Sequence, residues 1–398
     1  MRIGFDVSQT GQFKAGCGYF ADSLARALIT AYTDTSFILY PTFGSGYWDP
    51  AWPTSTLDLP EQGNASRGLG HGTFDQLEAF WARPPANLEA RLGSPDIVHS
   101  NNFFCPIRLS RARVVYTLHD LAFLEHPEWT TDANWYTCFN GVFDASLHAD
   151  HIVAVSKYTR EQFLATFPFF PAERISVVYE ASRFGGPTGA AAPPRLQHLP
   201  PRQYWLAVGT TEPRKNHERL IEAYARLKAA HETTYPLVLV GGDGWLTDGL
   251  GAHIESLQLN DDVQRLGYVD DASLQWLYEN CAAFCYPSLL EGFGLPVVEA
   301  MSLGAAVVSS NVTSLPEVVG DAGILVDPFD VDAIYAGMRA LATGEVALGQ
   351  LRARALLRAQ TFSWRAAAEQ VFAIYCRLLE EYPRTIERKP VVGAVSDK

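Results

Sequence analysis

With 398 residues, a net charge of −13 and a pI near 5.2, the chain is 47% hydrophobic and 19% charged, the composition of an ordinary globular protein. Its length exceeds what one hydrophobic core comfortably serves, so two domains are expected. The acidic balance argues against general nucleic-acid binding, and no run approaches the ~18 apolar residues of a membrane span. Asp6 stands where a signal peptide needs apolar length, so export is not expected. Six cysteines, at 17, 105, 138, 281, 285 and 376, are scattered. Cys281 and Cys285 flank a hydrophobic strand and read as core packing, not as a zinc or disulfide pair, and a reduced cytoplasmic setting fits.

Residues 2–7 read as a first buried strand, followed by a glycine-bearing loop (Gly11, Gly16, Gly18), a helix over 19–29 and a strand over 36–40. Residues 41–73 are rich in Gly, Pro, Trp and Ser with no sustained period, and read as a long insertion of the kind used as a binding loop or lid. A helix is predicted over 74–91, strands over 96–100 and 114–118, a helix over 131–148 and a strand over 152–155. Ser156 caps a helix over 157–166, and a strand follows over 175–179. Residues 185–201, with Gly-Gly-Pro, an alanine run and two Pro-Pro pairs, read as a linker.

Beyond it, strands are predicted over 204–208, 237–240, 263–266, 282–286, 306–309 and 324–326. Helices over 218–230, 252–257 and 272–280 alternate with them, and a helix around 363–379 is long enough to return to the first domain. Such alternation on both sides of a linker implies an α/β chain of two doubly wound parallel sheets. Ligands in such sheets sit outside the carboxyl ends of strands, so the two domains are expected to face a cleft. The expected division is 1–184, linker 185–203, 204–361 and a terminal helix with tail over 362–398.

Two stretches carry the chemistry. After the strand ending at Tyr286, a loop with Gly292 and Gly294 leads to Pro296, which suits a first helical residue. Backbone amides and a helix dipole there face an anion. Glu291 and Glu299 bracket the loop. Carboxylates do not bind phosphate, so they are expected to hold hydroxyls on either side of it, which suggests a nucleotide-sugar site. After the strand ending at Val208 comes Gly209-Thr210-Thr211-Glu212-Pro213-Arg214-Lys215-Asn216-His217-Glu218. Asn216 is expected to cap the next helix, and Arg214, Lys215 and His217 crowd its N-terminus, where the dipole disfavours cations. A bound diphosphate accounts for that crowding. The competing reading is a solvated basic turn balanced by Glu212 and Glu218.

The ordered set resembles the retaining glycosyltransferases of family 4, which have the two-domain GT-B fold. The residues that carry the likeness are Glu291 and Glu299 spaced E-x7-E, Glu212-Pro213-Arg214-Lys215-Asn216, the N-terminal glycine loop, Thr117-Leu118-His119-Asp120, Val155-Ser156-Lys157-Tyr158-Thr159-Arg160 and Phe362-Ser363-Trp364. Together they span nearly the whole chain. The resemblance implies that Lys215 and Arg214 grip the donor diphosphate and stabilise the charge that develops as it leaves. Glu299 would accept hydrogen bonds from the ribose, Glu291 would meet hydroxyls of the transferred sugar, and Gly292, Phe293, Gly294 and Leu295 would reach sugar or phosphate. Gly16 and Gly18 would approach the distal phosphate and acceptor. Thr210 joins the donor set where many members carry a basic residue, and Cys17 replaces a common aliphatic one. His119 would contact the sugar or assist at the reaction centre, with Asp120 orienting it or touching the acceptor. Trp48, together with Trp52 and Phe43, is a candidate acceptor contact, although buried aromatics are the commoner outcome.

No acid of the first domain stands out as a nucleophile. The resemblance points to same-face substitution, in which the departing phosphate helps deprotonate the acceptor, with no metal or other cofactor required. The segment 119–129 and Gly209 to Asn216 are similar to bacterial mannosyltransferases that build cell-surface polysaccharides. GDP-mannose is therefore the expected donor, with UDP-hexoses and dTDP-rhamnose open. The expected acceptor is a saccharide or a polyprenyl-diphosphate-linked saccharide. That implies a cytoplasmic enzyme, or one peripheral on the inner membrane. Arg108, Arg111 and Arg113 form a local basic cluster, against 13 Lys+Arg and 19 Asp+Glu over residues 1–184. The rival readings are a GT-B nucleotide-sugar epimerase, expected to lack the E-x7-E and Lys215 arrangement, and a non-catalytic sugar-nucleotide binder.

Overall fold

Short Val-, Ile- and Leu-rich runs form the strands of two all-parallel sheets. In a computed structural model of the chain, residues 1–11, 14–44, 63–69, 73–107, 109–242, 244 and 249–381 are described. The first sheet holds β1 (Arg2–Asp6), β2 (Ser36–Tyr40), β3 (Ala65–Arg67), β4 (Ile97–Ser100), β5 (Arg113–Leu118), β6 (His151–Ala154) and β7 (Ile175–Val177), in the order β3-β2-β1-β4-β5-β6-β7. The second holds β8 (Trp205–Val208), β9 (Leu237–Val240), β10 (Val263–Gly267), β11 (Ala283–Tyr286), β12 (Val307–Ser310) and β13 (Ile324–Val326), in the order β10-β9-β8-β11-β12-β13. All six residues of β5 are buried, as a central parallel strand covered on both faces requires. In each sheet the chain order reverses beside the first strand, between β1 and β4 and between β8 and β11. Open α/β sheets bind ligands at the carboxyl ends flanking such a reversal.

The chain divides into two compact units. The first contains the described parts of Met1–Leu124, Asp132–Glu180 and Trp364–Lys398, and the second contains Glu125–Thr131 and the described parts of Ala181–Ser363. In the first, the helix Trp364–Glu381 packs on the helix Gly16–Ala31. Phe372 stacks on Tyr32 with ring centroids 3.5 Å apart. The same terminal helix bonds the strands through Tyr375 to His99 and through Arg377 Nη2 to His151 Nδ1 at 3.1 Å. In the second, residues around 188 are pinned down. The buried Glu279 carboxylate accepts the amides of Thr188 at 3.1 Å and Gly189 at 2.7 Å, and Leu196 and Leu199 are buried.

Several elements differ from expectation for identifiable reasons. The helix predicted over 74–91 is two, Phe74–Ala82 and Leu88–Arg91, because Pro84 and Pro85 break it. A Thr73–Gln76 capping box sets the first start. Within 41–73, β3 pairs with β2 as an edge strand, and its half-exposed Ala-Ser-Arg run carries no apolar alternation to reveal it. Trp48, Trp52, Arg108 and most of the 41–73 stretch lie outside the described residues. Phe43 is buried against Tyr40, Trp81 and Phe104 and so serves the core. No helix among the described residues is long and apolar enough to cross a membrane.

Gly141 marks where the helix Asp132–His148 meets the chain after β4. A Cβ there would lie 1.9 Å from the Phe103 carbonyl oxygen. Gly141→Ala is expected to cost ~1–3 kcal/mol by forcing that contact apart. An unchanged urea midpoint would show that the helix can retreat freely.

Candidate functional site

The second-unit site follows from one strand pairing. β8 and β11 are adjacent, with Trp205 opposite Ala283 and Leu206 opposite Phe284, so the chain leaves both strands side by side. From β8 it enters a 3-10 turn, Pro213–Lys215, that ends at Asn216 with φ 61° and ψ 35°. The Asn216 side chain does not cap the helix His217–Ala229, as the sequence suggested. Its Nδ2 instead donates to the carbonyls of Pro287 at 2.9 Å and Pro328 at 2.7 Å, fastening this turn to the loops after β11 and β13. Leu289 N donates to the Arg214 carbonyl at 2.7 Å, and Ser288 Oγ lies 2.9 Å from the same oxygen. Two stretches more than 70 residues apart in the chain are thereby made one surface.

Charge converges on that surface. Glu291 is 6% exposed. Its Oε1 accepts from Lys215 Nζ at 2.6 Å, Ser288 Oγ at 2.7 Å and Tyr286 Oη at 2.8 Å, and its Oε2 accepts from Arg214 Nη1 at 2.9 Å. Arg214 Nη2 lies 2.8 Å from Glu212 Oε1. Burial pushes the Glu291 carboxyl up, but Lys215, Arg214 and the hydrogen bonds outweigh it and bring the pKa to about 2. Burial, with Arg214 next, draws the Lys215 ammonium below its ordinary value against the pull of Glu291 and Glu212. Lys215 and Glu291 form a salt bridge at 2.6 Å. Burial, with Lys215 and Arg265, holds His217 down to about 4, so it adds no positive charge to the helix start. Two cations thus face Glu212 and Glu291, not Glu218. The turn is charge-balanced as it stands, and its stability does not by itself demand an outside anion.

Around this cluster lies the glycine loop. Gly294 adopts φ 105° as the N-cap of the helix Leu295–Ser302, which puts Leu295 first and Pro296 second. Ser314 Oγ donates to the carbonyls of Glu291 and Phe293, both at 2.9 Å, and fixes the loop between Gly292 and Gly294. Glu299, 4% exposed, pairs with Arg183, whose Nη1 lies 3.1 Å from Oε1, and accepts from Tyr278 Oη at 3.2 Å. The Lys215 stem lies against Gly209, where a Cβ would be 3.4 Å from its Cδ. Gly209 also lines a cavity of about 440 Å³ at the carboxyl ends of β8, β9 and β10, together with Thr211, His217, Gly241, Arg265 and Gly267. Thr210 is half-buried beside it.

In the first unit, His119 follows the last residue of β5. Its Nε2 is 2.8 Å from the Asn101 carbonyl oxygen, so that nitrogen carries a proton, and its Nδ1 is 3.8 Å from Glu180 Oε1. Asn101 is held by Asp6, which accepts its amide at 3.1 Å and two bonds from Ser8. Burial lifts the Asp6 carboxyl to about 6. Asp120 accepts the Ala122 amide at 3.1 Å, a local turn bond, and the carboxylate beside the His119 ring is Glu180. Gly18 is required by packing, since a Cβ would lie 2.1 Å from the Gln9 carbonyl oxygen, whereas Gly16 borders open space. Arg183, Tyr286, Ser288, Asn101 and Glu180 were not singled out from sequence. Glu180 alone had a visible signal, an acid just beyond a strand end.

Residues 193–359 match the family model for glycosyl transferases group 1, and residues 19–181 match Glycosyltransferase Family 4. The O-antigen chain mannosyltransferase B of Escherichia coli is 38% identical over 332 residues, 79% of this chain and 86% of the relative. The chain belongs to glycosyltransferase family 4. The MMP alpha-(1->4)-mannosyltransferase of Mycolicibacterium hassiacum is 29% identical over 325 residues, 76% of this chain and 75% of that one. Anabaena HepE, solved in complex with UDP and glucose, superposes with TM-score 0.71 at 19% identity over 95% of this chain and all of that one. WaaG, a lipopolysaccharide glycosyltransferase, does so with TM-score 0.68 at 17% identity over 94% and 99%. The two parallel-sheet units thus have the GT-B fold, and the chain, as a member of family 4, is a glycosyltransferase.

The Glu291 clasp gives this glycosyltransferase a defined acid sensitivity. Its folded pKa of about 2 lies below the ordinary 4.5, so the stabilisation is full above pH 4.5 and is lost as pH falls toward 2. The difference is worth about 3 kcal/mol. Urea midpoints of the wild type should fall steeply between pH 5 and 3, and those of Glu291→Gln should fall less over that window. Parallel curves would remove Glu291 as the responsible acid.

Proposed function

We propose that this glycosyltransferase moves mannose from GDP-mannose, with retention, onto a saccharide or polyprenyl-diphosphate-linked saccharide. The observation that carries the reading is the joined Arg214, Lys215 and Glu291 cluster at the reversal of the second sheet, in a chain 38% identical to an O-antigen mannosyltransferase. A diphosphate brings the anion that this pair of cations can share with Glu291. Arg214 and Lys215 then stabilise the charge that grows on the leaving phosphate, which is the largest lever available to a transferase of this kind.

As the cations turn to phosphate, Glu291 is released toward the hydroxyls of the transferred sugar, with Tyr286 and Ser288 still steadying one of its oxygens. Glu299 accepts from the ribose in place of Arg183. The base enters the cavity beyond Gly209 and Thr210, and the segment Gly292, Phe293, Gly294, Leu295 lines the phosphate and sugar. Gly16 and Gly18 give the distal phosphate and the acceptor a close backbone approach, and His119 meets the sugar. Asp120 and Trp48 are acceptor-side residues, and peripheral contact with the inner membrane belongs to the same reading. Retention follows from same-face attack in which the leaving phosphate takes the acceptor's proton, the two cations supplying the charge stabilisation.

The test is transfer from GDP-mannose to a lipid-linked saccharide acceptor by the purified chain. Lys215→Ala and Glu291→Ala should each lower turnover by at least ~10²-fold, the scale of one preorganised charge contact. Wild-type-like turnover in either variant would remove that residue from the machinery. In thermal-shift titrations, GDP at 100 times its dissociation constant should stabilise the chain by ~2.7 kcal/mol. A larger effect of UDP or dTDP at equal concentration would replace the guanine nucleotide as donor.

A further inference from the structure

We infer that Glu180 is a positioning residue that holds His119 as an imidazolium, so that His119 meets its substrate as a fixed cation and not as a proton acceptor. The consequence for turnover rests on the proposed transferase reading, while the pairing itself is a property of the first unit. His119 is 8% exposed and Glu180 4%. The Asn101 carbonyl can only accept, so Nε2 of His119 is committed as a donor at 2.8 Å. Only Nδ1 can change its protonation, and it faces Glu180 Oε1 at 3.8 Å. A carboxylate beside a ring nitrogen in a site that excludes water favours the protonated ring.

The other groups around the ring have identifiable roles. Cys17, on the first turn of the helix Gly16–Ala31, is within hydrogen-bonding reach. The Cys17 thiol and the Glu180 carboxylate are the two groups that can favour the charged ring, and Cys17→Ser separates their contributions. Asp6, at the end of β1, spends its oxygens on Ser8 and on the Asn101 amide, and so fixes the carbonyl that Nε2 needs. His99 on β4 is neutral, held down to about 3 by burial and by the charge of His119. Phe20 presents its ring at 5.1 Å and 88° and Phe103 at 6.5 Å, and neither carries charge. Burial alone would draw His119 down. Cys17 and Glu180 outweigh it and lift the imidazole well above its ordinary value. A histidine locked in this way cannot take the acceptor's proton, which leaves that task to the departing phosphate.

Histidine-selective NMR of the full chain reads the ring directly, with the His119 signal assigned by its loss in His119→Asn. The wild-type ring should titrate above the ordinary imidazole range and be an imidazolium at pH 7. In Glu180→Gln it should titrate at least ~1 pH unit lower, in Glu180→Asp it should lie between, and Cys17→Ser should shift it less than Glu180→Gln does. Turnover of Glu180→Gln should approach the wild type near pH 6 and fall ~10-fold by pH 8.5 with donor KM little changed, since a cation is lost as pH rises through its pKa. A merely structural role would give a loss independent of pH. A neutral wild-type ring at pH 7, an unchanged titration in Glu180→Gln, or a larger shift in Cys17→Ser would overturn the inference. Should Glu180→Gln not fold, the wild-type titration and Glu180→Asp still decide it. Absence of mannosyl transfer with the expected titrations would sink the proposed function and leave the pairing standing.

Discussion

The buried carboxylate of Glu291 is the constraint on which the second unit's site depends. Lys215 and Arg214 donate to it from one loop, and Tyr286 and Ser288 donate from the end of β11 and the loop that follows. Leaving such a group without its cations would be costly, so its position dictates where both loops go. The neighbouring strands β8 and β11 bring the loops together, Asn216 fastens one to the other, and Ser314 fixes the glycine loop beyond. Each of these contacts is a backbone or side-chain requirement met locally. Their sum is a rigid surface that presents cations where an open α/β sheet receives its ligand.

Much of this was legible in the sequence because parallel sheets are written in continuous apolar runs. β2, β9 and β13 fall where periodicity and flanking turns put them, and the remaining apolar strands do so within a residue or two at most ends. The residues of the Glu212 to Asn216 and Glu291 to Glu299 stretches were legible for another reason. Charged side chains at a strand exit are expensive for the fold and so stand out from it.

What stayed hidden depends on partners distant in the chain. Arg183 sits between the last predicted strand of the first domain and the linker, and only the folded chain shows it on Glu299. Asn216 has the composition of a helix cap, yet its left-handed backbone turns the side chain toward two proline carbonyls. β3 has no apolar face to announce it. Glu180 is an acid just beyond a strand end, and its significance comes from His119, 61 positions earlier. In each case the local pattern was neutral or misleading, and a long-range hydrogen bond decided the outcome.

The balanced charge of the ligand-free cluster has a consequence for how a diphosphate would bind. In sequence the crowding of cations at the helix start allowed a bound diphosphate or a balance by Glu212 and Glu218, and in the folded chain Glu212 and Glu291 already neutralise Arg214 and Lys215. Binding is then an exchange of counterions, not the filling of an empty positive pocket. Separating a buried pair without replacement is destabilising by ~3–5 kcal/mol, whereas replacing one anion by another recovers most of that. Such a site favours a ligand with at least two negative groups, enough to hold both cations while Glu291 swings to a neutral hydroxyl. Under the proposed function it would also limit affinity for the diphosphate product, because Glu291 would be at hand to reclaim Lys215 once the sugar has gone. A carboxylate that serves the cations when the site is empty and the sugar when it is full would couple donor recognition to product release through a single side chain.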